Sequence, residues 1–357
     1  METERYSRQT VLKEFGHKAQ AKLAQAKVLV VGAGGLGVPV LTYLNAMGVG
    51  TLGMVDADRI STSNLHRQVL YTTQDVGESK VAIASKKLRA QNPNTELLSY
   101  DTFLTKENAM DIINDYDLVI DATDNFPTRY LVNDVCVILK KPFVYGALHS
   151  FEGQISVFNH KGGPTYRCLF PDMPSAQEVP NCDENGVLGI IPGIVGNLQA
   201  LEAVKVLTGI GEVLSGKLLL FNGLNQSFQK VKFSPIPANL NITMLQMEYT
   251  LNCSKETVSI EASEFEKLWN SDLLQIIDVR TLKEYEQFHL RNSICHPLDD
   301  IDNWRHQINL SSPVYLICQS GIRSLKAQQY LQANNPEANF INVNGGINKL
   351  KIYATEH

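Results

Sequence analysis

The stretch that decides the fold is residues 28–37, V-L-V-V-G-A-G-G-L-G. Its first four residues are continuously apolar, which is typical of a strand buried on both faces of a parallel sheet. Gly32, Gly34 and Gly37 then match the spacing G-x-G-x-x-G, and an apolar helical pattern follows over residues 40–44. Such a turn brings backbone N–H groups to a helix N-terminus, where phosphate binds.

A second apolar run, residues 49–55, ends in Asp56. In nucleotide-binding folds an acid about 20 residues beyond the glycine turn holds a ribose hydroxyl. The glycine spacing alone is also compatible with a purely structural turn. The strand, helix and acid together favour a nucleotide site.

The bulk properties predict an ordinary globular protein. With 357 residues the chain is long enough for about two domains. A net charge of −5 and a pI near 5.9 give no electrostatic reason to expect nucleic-acid or membrane binding. The first ten residues lack an apolar segment, so we expect a cytoplasmic location. The six cysteines are widely spaced, which argues against a disulfide framework.

Strand-like and helical patterns alternate through the first two thirds of the chain, which predicts an α/β fold with a mostly parallel sheet. The predicted strands are 28–31, 52–55, 97–100, 118–121 and 143–145, with 154–158 and 217–221 extending the same sheet. The predicted helices include 80–90 and 198–207.

A proline-containing polar stretch begins near residue 233 and predicts a linker. We therefore expect a first domain over 1–232, a linker over 233–255 and a smaller α/β domain over 256–357. Predicted elements of that second domain are a helix capped by Ser263 and ending at Trp269, strands at 273–279 and 314–318, and a helix at 324–331.

Charged residues near the glycine turn favour ATP over a dinucleotide. Arg8, Arg67 and Lys80 can neutralise a triphosphate, and Asp124, at a predicted strand end, can hold its magnesium. Each has a plainer interpretation: Asp121 or Asp124 can cap the next helix, and Lys80 can be solvated surface.

Seven motifs in order make residues 1 to about 232 resemble the MoeB/ThiF/HesA adenylyltransferases. They read R-Y-S-R-Q, V-G-A-G-G-L-G, S-N-L-H-R-Q, D-V-G-x-x-K, D-x-T-D-N, E-G-Q-I-S-V-F and G-I-I-P-G-I-V-G-N-L-Q-A-L-E. The resemblance implies a homodimer in which Arg8 enters the site of the neighbouring subunit. It also implies that the C-terminal glycine carboxylate of a small ubiquitin-like protein attacks the α-phosphate of ATP, giving an acyl-adenylate and pyrophosphate.

The expected nucleotide-contacting set follows from these motifs and comprises Gly32, Gly34, Gly35, Gly37, Asp56, Ser63, Asn64, Leu65, His66, Arg67, Lys80, Asp124 and Asn125. The expected catalytic residues are Arg8, Arg67, Lys80, Asp124, Cys182 and Cys318. His66 stands where many members of the family carry glutamine.

One departure concerns zinc. Many members carry two C-x-x-C pairs, but here the first reads T-Y-R-C, with Thr165 in place of a ligand and only Cys168 remaining. The linker contributes the lone Cys253. Two thiolates are too few for a four-sulfur site, so the sequence predicts no structural zinc.

Cys182 lies in the polar segment N-C-D-E-N-G-V-L-G, which predicts a solvent-accessible thiol. By resemblance it matches the cysteine that forms a covalent intermediate with the activated carrier. An inert small hydrophobe is the alternative.

A second candidate nucleophile, Cys318, ends an apolar strand and precedes the loop Gln319, Ser320, Gly321, Ile322, Arg323 and Ser324, where a helix is predicted to begin. Backbone N–H groups, the helix dipole and Arg323 are expected to favour its thiolate. The spacing C-x4-R is one residue shorter than a phosphatase cradle, which favours a persulfide over a phosphate.

Residues 256–357 resemble a rhodanese domain, on this loop, on I-I-D-V-R over 276–280 and on H-L-x-x-S-I-x-H-P-L beginning at His289. The resemblance implies that Cys318 carries the transferred sulfur and that Asp278 and Arg280 are architectural. Phe288 replaces the glycine that commonly precedes the histidine.

The two resemblances together predict an enzyme that adenylates a Gly-Gly-ended carrier and converts it to a thiocarboxylate. Thiosulfate or a desulfurase persulfide is the expected sulfur donor, and molybdopterin synthesis is the favoured pathway, with thiamine, cysteine or tRNA thiolation as alternatives. An NAD-dependent dehydrogenase with a regulatory module and a non-catalytic scaffold are the rivals from other classes.

Overall fold

The computed structural model describes residues 2–174, 186–249, 258–269, 274–335 and 337–351. The chain divides into two compact units. The first contains the described residues up to 249, and the second contains those from 258 onward.

The described part of the first unit is built on an eight-stranded sheet with strand order β3-β2-β1-β4-β5-β6-β7-β8. The first five strands of this order are parallel and the others are antiparallel. Their bounds are β1 Lys27–Val31, β2 Thr51–Val55, β3 Glu96–Tyr100, β4 Leu118–Asp121, β5 Phe143–His149, β6 Glu152–Phe158, β7 Lys217–Asn222 and β8 Ser227–Lys232. The predicted parallel sheet with an antiparallel extension is thus confirmed.

Helices cover both faces of this sheet. They are α1 Glu2–Arg5, α2 Ser7–Thr10, α3 Gly16–Gln25, α4 Gly37–Ala46, α5 Lys80–Gln91, α6 Ala109–Asn114, α7 Phe126–Ile138, α8 Tyr166–Leu169 and α9 Ile190–Thr208. Short 3-10 turns lie at Thr62–Asn64, Thr73–Asp75 and Pro237–Leu240.

Strand β1 is apolar at successive residues because both of its faces are buried. Val28 and Val30 point into one buried cluster, and Leu29 and Val31 point into the cluster on the opposite face. Helix α9 is long and apolar enough to cross a membrane by length and composition alone. In the structure it packs on α4, β5 and β6 as a core helix of the first unit.

The glycine turn depends on two missing side chains. Gly32 has φ +100°, a conformation that favours glycine, and a Cβ there would lie 2.6 Å from the Ala122 carbonyl oxygen. A Cβ on Gly37 would lie 1.9 Å from the Gly32 carbonyl oxygen. Helix α4 can therefore begin directly against the end of β1.

The second unit is a smaller parallel sheet with strand order β11-β10-β12-β13-β9 in its described residues. Its strands are β9 Ser259–Glu261, β10 Gln275–Asp278, β11 Ser293–Cys295, β12 Val314–Ile317 and β13 Phe340–Asn344. Its helices are α10 Ala262–Leu268, α11 Leu282–Gln287, α12 Ile301–Trp304 and α13 Ile322–Asn334, with 3-10 turns at Leu298–Asp300, Arg305–Gln307 and Ile347–Lys349.

Two local predictions for this unit were wrong. Glu261, not Ser263, is the N-cap of α10. Helix α13 begins at Ile322, two residues before the predicted start, because Gly321 adopts φ +88° as its N-cap.

The described part of the predicted linker packs on the first unit. The Ile236 N–H donates to Cys168 Sγ at 3.2 Å, and the Tyr249 hydroxyl donates to Asp134 Oδ2 at 2.7 Å. Asp134 also accepts from Nε and Nη2 of Arg167, at 2.7 and 2.8 Å. Residues 234–249 are therefore held by direct hydrogen bonds.

Candidate functional site

Asp56 fixes the glycine turn from the end of β2. Its Oδ2 accepts from the Ala33 N–H at 2.7 Å, and its Oδ1 accepts from the Asp58 N–H at 2.8 Å. Burial raises the pKa of Asp56, and the nearby Lys80 cation opposes that rise. Each carboxylate oxygen keeps a further lone pair, so Asp56 can still accept a ribose hydroxyl.

Lys80 is the first residue of α5, where Ser79 is the N-cap. Only 6% of its side chain is exposed, and its Nζ lies 2.7 Å from Asp58 Oδ2 and 4.0 Å from Asp56 Oδ2. The solvated-surface interpretation of Lys80 is therefore wrong. The structure brings this cation to the acid that follows β2, on the side of the glycine turn.

Arg67 lies beside the glycine turn. An ideal Cβ on Gly35 would be 3.5 Å from Arg67 Cδ and 3.1 Å from Pro192 Cβ, so arginine, turn and the start of α9 converge. Arg67 Nη1 donates to the Ser63 carbonyl at 3.0 Å and lies 2.8 Å from His66 Nε2. Its guanidinium thus spans the 63–67 segment.

The rest of the S-N-L-H-R-Q segment forms a compact turn. Asn64 caps the 3-10 turn Thr62–Asn64 by accepting from the Ser61 N–H at 3.3 Å, and its carbonyl accepts from the Arg67 N–H at 3.1 Å. Leu65 is half-buried and packs against the main core. The backbone of this turn, rather than the Asn64 side chain, positions Arg67.

The two acids in the turn after β4 differ in burial and in bonding partners. Asp121 is fully buried and paired with Arg129 Nε at 3.0 Å. Asn125 is the N-cap of α7 and accepts from the Thr128 N–H at 2.9 Å. Asp124 is exposed at the carboxyl edge of the sheet and, among the described residues, has no hydrogen-bond or ion-pair partner. It is the acid of this turn that is available to a ligand.

Arg8 does not reach the glycine turn of its own chain, where Lys80 and Arg67 lie. Its helix α2 is anchored by Gln9 Nε2, which donates to the Met47 carbonyl at 3.1 Å, and by Tyr6, which packs on Gly48. Met47 follows the C-terminal end of α4, whereas the glycine turn lies at the N-terminal end. A ten-residue helix is about 15 Å long, more than an arginine side chain spans.

In the second unit, Cys318 follows β12 and its side chain is fully buried. Its Sγ accepts from the Gly321 N–H at 3.1 Å and lies 3.4 Å from Ser324 Oγ. The backbone of Gly346 packs directly against this loop. A Cβ on Gly346 would lie 2.1 Å from the Cys318 carbonyl oxygen, so only glycine fits there. A backbone N–H and a hydroxyl therefore converge on this sulfur at the N-terminal end of α13.

Arg280 and Asp278 form a buried pair that supports this loop. Arg280 Nη2 lies 2.8 Å from Asp278 Oδ2, and Nη1 donates to Gln319 Oε1 at 2.9 Å. Gln319 in turn donates to Asn348 Oδ1 at 2.5 Å. These bonds fix the orientation of the residue that follows the nucleophile.

Arg323 is engaged elsewhere than the sequence suggested. Its Nη2 and Nη1 donate to the two carboxylate oxygens of Glu284, at 2.6 and 2.9 Å. The arginine bond holds the pKa of Glu284 well below its usual range, and the same bond raises the pKa of Arg323. The sequence led us to expect that Arg323 favours the Cys318 thiolate, and the structure shows it bonded to Glu284.

Two sequence predictions cannot be placed. Cys182 and Cys253 lie outside the described residues. Within the described ranges, no group of three or more His, Cys, Asp or Glu side chains is arranged to hold a metal ion. Cys168 is buried and lies 3.3 Å from Thr165 Oγ1.

Some functional neighbours were missed from the sequence. Asp58 pairs with Lys80, and the Tyr71 hydroxyl donates to the Ala33 carbonyl at 2.8 Å. Arg129 holds the turn after β4 by also donating to the Thr123 carbonyl at 3.0 Å. The D-x-D spacing at residues 56–58 was a usable signal for Asp58. The other two pairs are set by the fold alone.

The fold and the site assign the chain to a family. A ThiF family model matches residues 6–241 and a rhodanese-like domain model matches residues 261–352. The chain belongs to the ThiF family and carries a rhodanese-like domain.

Three curated relatives match between 64% and 96% of this chain. A sulfur carrier protein adenylyltransferase of Thermus thermophilus is 55% identical over 64% of this chain and 87% of the relative. The adenylyltransferase and sulfurtransferase MOCS3 of Aedes aegypti is 40% identical over 92% of this chain and 82% of the relative. A probable molybdopterin-synthase adenylyltransferase of Porphyra purpurea is 39% identical over 96% and 91%.

Among solved structures, Escherichia coli MccB in complex with MccA-N7isoASN has a TM-score of 0.59 at 21% identity, over 66% of this chain and 73% of MccB. That likeness concerns the fold.

Proposed function

We propose that this chain is an adenylyltransferase and sulfurtransferase that converts the C-terminal glycine of a small sulfur-carrier protein into a thiocarboxylate. The observation that carries the proposal is the presence, in one chain, of two candidate sites. One is a glycine-turn crevice lined by Lys80 and Arg67, and the other is the Cys318 sulfur held by Gly321 and Ser324.

The first reaction is adenylation in the first unit. A carboxylate oxygen of the carrier's terminal glycine attacks the α-phosphorus of ATP and forms a mixed anhydride. The bond to the bridging oxygen of the β-phosphate breaks, and pyrophosphate leaves with that electron pair. Lys80 and Arg67 are placed to stabilise the charge that develops on the phosphate oxygens. Asp56 orients the turn and holds the ribose.

Asp124 fits a magnesium ligand. It is an exposed carboxylate beside the buried Asp121–Arg129 pair, and Mg²⁺ is commonly held by one or two carboxylates together with substrate phosphates. The ion would neutralise phosphate charge there. Asp121 is committed to Arg129, so Asp124 carries this role.

Arg8 acts in the site of a second copy. The anchoring of α2 near Met47 holds it at the opposite end of α4 from its own glycine turn. In a homodimer, the exposed Arg8 side chain can lie beside the glycine turn of the other subunit. Such an arrangement makes each active site a composite of two subunits.

The second reaction uses Cys318 as a persulfide. The terminal sulfur of Cys318–S–S⁻ attacks the acyl carbon of the adenylate, AMP leaves, and an acyl disulfide links the carrier to Cys318. A second thiol, assigned by resemblance to Cys182, then attacks the Cys318 sulfur. The thiocarboxylate leaves and a Cys182–Cys318 disulfide remains, which two equivalents of a cellular thiol reduce while they form a disulfide of their own.

Molybdopterin synthesis is the pathway we propose for the carrier, and the Porphyra purpurea relative supports this choice. The test is ATP–pyrophosphate exchange with purified carriers ending in Gly-Gly. Exchange that requires the molybdopterin-type carrier supports the proposal. Exchange with none of the carriers, together with NAD-dependent reduction by the purified protein, would overturn it.

A further inference from the structure

The arginine proposed to act in the neighbouring subunit lies on a very short helix. Helix α2 has four residues, and no side chain of α2 is buried against the described part of the first unit. An isolated helix of this length is unstable in water, and chain termini are poorly ordered unless contacts hold them in place. The position of Arg8 therefore depends on side chains that anchor α2 to the rest of the unit.

Tyr6, the N-cap of α2, is an aromatic anchor. Its ring packs on Gly48, which follows α4 and has φ +83°. A Cβ on Gly48 would lie 2.5 Å from Tyr6 Cζ, so the ring occupies the space that a side chain at residue 48 would need. The missing side chain of Gly48 thus admits the tyrosine ring.

The Tyr6 hydroxyl is bonded to a fully buried amide. Asn92, the C-cap of α5, donates from Nδ2 to the Tyr6 hydroxyl oxygen at 3.0 Å and to the Asn45 carbonyl at 2.7 Å. Asn45 belongs to the last turn of α4. The hydroxyl is therefore fixed where the C-terminal ends of α4 and α5 meet.

Gln9 provides a second anchor on the same side of α2. Its Nε2 donates to the Met47 carbonyl at 3.1 Å, and Gln20 of α3 donates to the same carbonyl at 3.0 Å. Residues three apart on a helix are neighbours on one face, whereas residues two apart are not. Tyr6 and Gln9 therefore face α4 together, while Arg8 is directed away from Tyr6 and is exposed.

We propose that Tyr6 is a positioning residue for adenylation, because it fixes α2 on Gly48 and Asn92 and so holds Arg8 in place for the nucleotide of the neighbouring subunit. The inference rests on the proposed role of Arg8 in the site of a second copy. Tyr6 acts in this scheme only through Arg8.

Loss of Tyr6 should impair the active site of the other subunit and spare the site of its own chain. Lys80 and Arg67 of the same chain lie beside the glycine turn, at the opposite end of α4 from Tyr6. A role limited to stability would have the reverse effect, since it would impair the chain that carries the substitution.

The first test is Tyr6→Ala in the full-length protein, measured by carrier-dependent ATP–pyrophosphate exchange. The homodimer should exchange about 10- to 100-fold more slowly than wild type, because misplacing a catalytic group costs rate. Tyr6→Phe keeps the ring on Gly48 and should recover most of the rate. Tyr43→Ala, at an exposed tyrosine on α4, is the matched control and should exchange normally.

Doubly tagged heterodimers show in which subunit Tyr6 acts. A Tyr6→Ala chain paired with a Lys80→Ala chain forms one site that has both an intact Lys80 and a correctly held Arg8, so about half of the sites should be active. Gln9→Ala removes the second anchor. Paired in the same way it should also recover activity, and it keeps the inference falsifiable if Tyr6→Ala does not fold.

Arg8→Ala paired with Lys80→Ala separates the inference from the function on which it rests. Recovery in that heterodimer without recovery in the Tyr6→Ala heterodimer would overturn the role of Tyr6 alone. A wild-type exchange rate in the Tyr6→Ala homodimer would do the same. No recovery in either heterodimer would overturn the proposed composite site.

Discussion

Lys80 Nζ lies 2.7 Å from Asp58 Oδ2, and this pair joins a buried cation to a carboxylate that is more than half exposed. A triphosphate arriving at the glycine turn can therefore take the ammonium from Asp58 without leaving an acid buried and unpaired. Under the proposed function, the partner that Lys80 gives up when it binds phosphate is one that water can solvate.

The first prediction concerns this lysine. Lys80→Met should reduce carrier-dependent ATP–pyrophosphate exchange by on the order of 10²- to 10³-fold, because it removes a positioned charge from the transition state. Lys86→Met, an exposed lysine on the same helix, is the matched control and should exchange normally. A normal rate in Lys80→Met protein would show that Lys80 is only a structural partner of Asp58.

The second prediction tests the composite site. Arg8→Ala and Lys80→Ala homodimers should both be inactive, whereas heterodimers obtained by co-expression contain one site with both residues intact. Statistical mixing then restores roughly a quarter of the sites, because half of the dimers are mixed. Exchange assays on the unfractionated mixture measure this recovery, and the purified doubly tagged heterodimer should have half of its sites active. No recovery in the heterodimer would show that Arg8 does not act in the site of the neighbouring subunit.

The third prediction concerns the segment anchored by Tyr249. Tyr249→Phe deletes the hydrogen bond to the buried Asp134 and should lower the free energy of unfolding of the first unit by about 1–3 kcal/mol. Limited proteolysis within residues 234–249 should also become faster. Tyr43→Phe, at an exposed tyrosine, is the control. Equal stability and equal cleavage in both variants would contradict the anchoring role.

The fourth prediction is a pH dependence. A hydrogen bond from Lys87, assisted by Thr72, lowers the pKa of Asp75 to about 2. The unfolded value is about 3.9, so the stabilisation is complete above pH 4 and is lost as the pH falls toward 2. In urea unfolding, the free energy of unfolding of the wild type should exceed that of Asp75→Asn by the same amount at pH 7 and pH 5. The difference should be smaller at pH 3.

The control for this titration is Asp111→Asn, at an exposed carboxylate on α6. Asp111→Asn measures, at the same three pH values, the effect of removing an exposed carboxylate that lacks the bonds from Lys87 and Thr72. A margin for Asp75→Asn that stays constant down to pH 3 would contradict the assigned pKa.

The sequence predicted the parallel sheet well because strands buried on both faces are continuous apolar runs, as in β1 and β4. Strand β8 was missed because S-F-Q-K-V-K is exposed along its whole length and lacks an apolar run. Strands β9 and β11, at three residues each, are too short to show periodicity. Strand β13, Phe340–Asn344, was also missed.

The site was predictable where one residue and its neighbours in sequence define the chemistry. The glycine turn, Lys80 at a helix start and Cys318 at a strand end are of that kind. Which charged side chains pair with each other was not predictable from the sequence. Glu284 and Arg323, for example, are 39 residues apart and meet only in the folded second unit. The pairing of Asp58 with Lys80 likewise depends on how α5 returns to the sheet.

The most direct test of the whole account is the intact mass of the carrier after one reaction. Wild-type protein, ATP, magnesium, a persulfide donor and a thiol reductant are incubated with the Gly-Gly-ended carrier. We predict a mass gain equal to replacing one oxygen by one sulfur, which is absent with Cys318→Ala although pyrophosphate exchange persists. Full sulfur incorporation with Cys318→Ala, or none with wild type despite adenylation, would contradict the account.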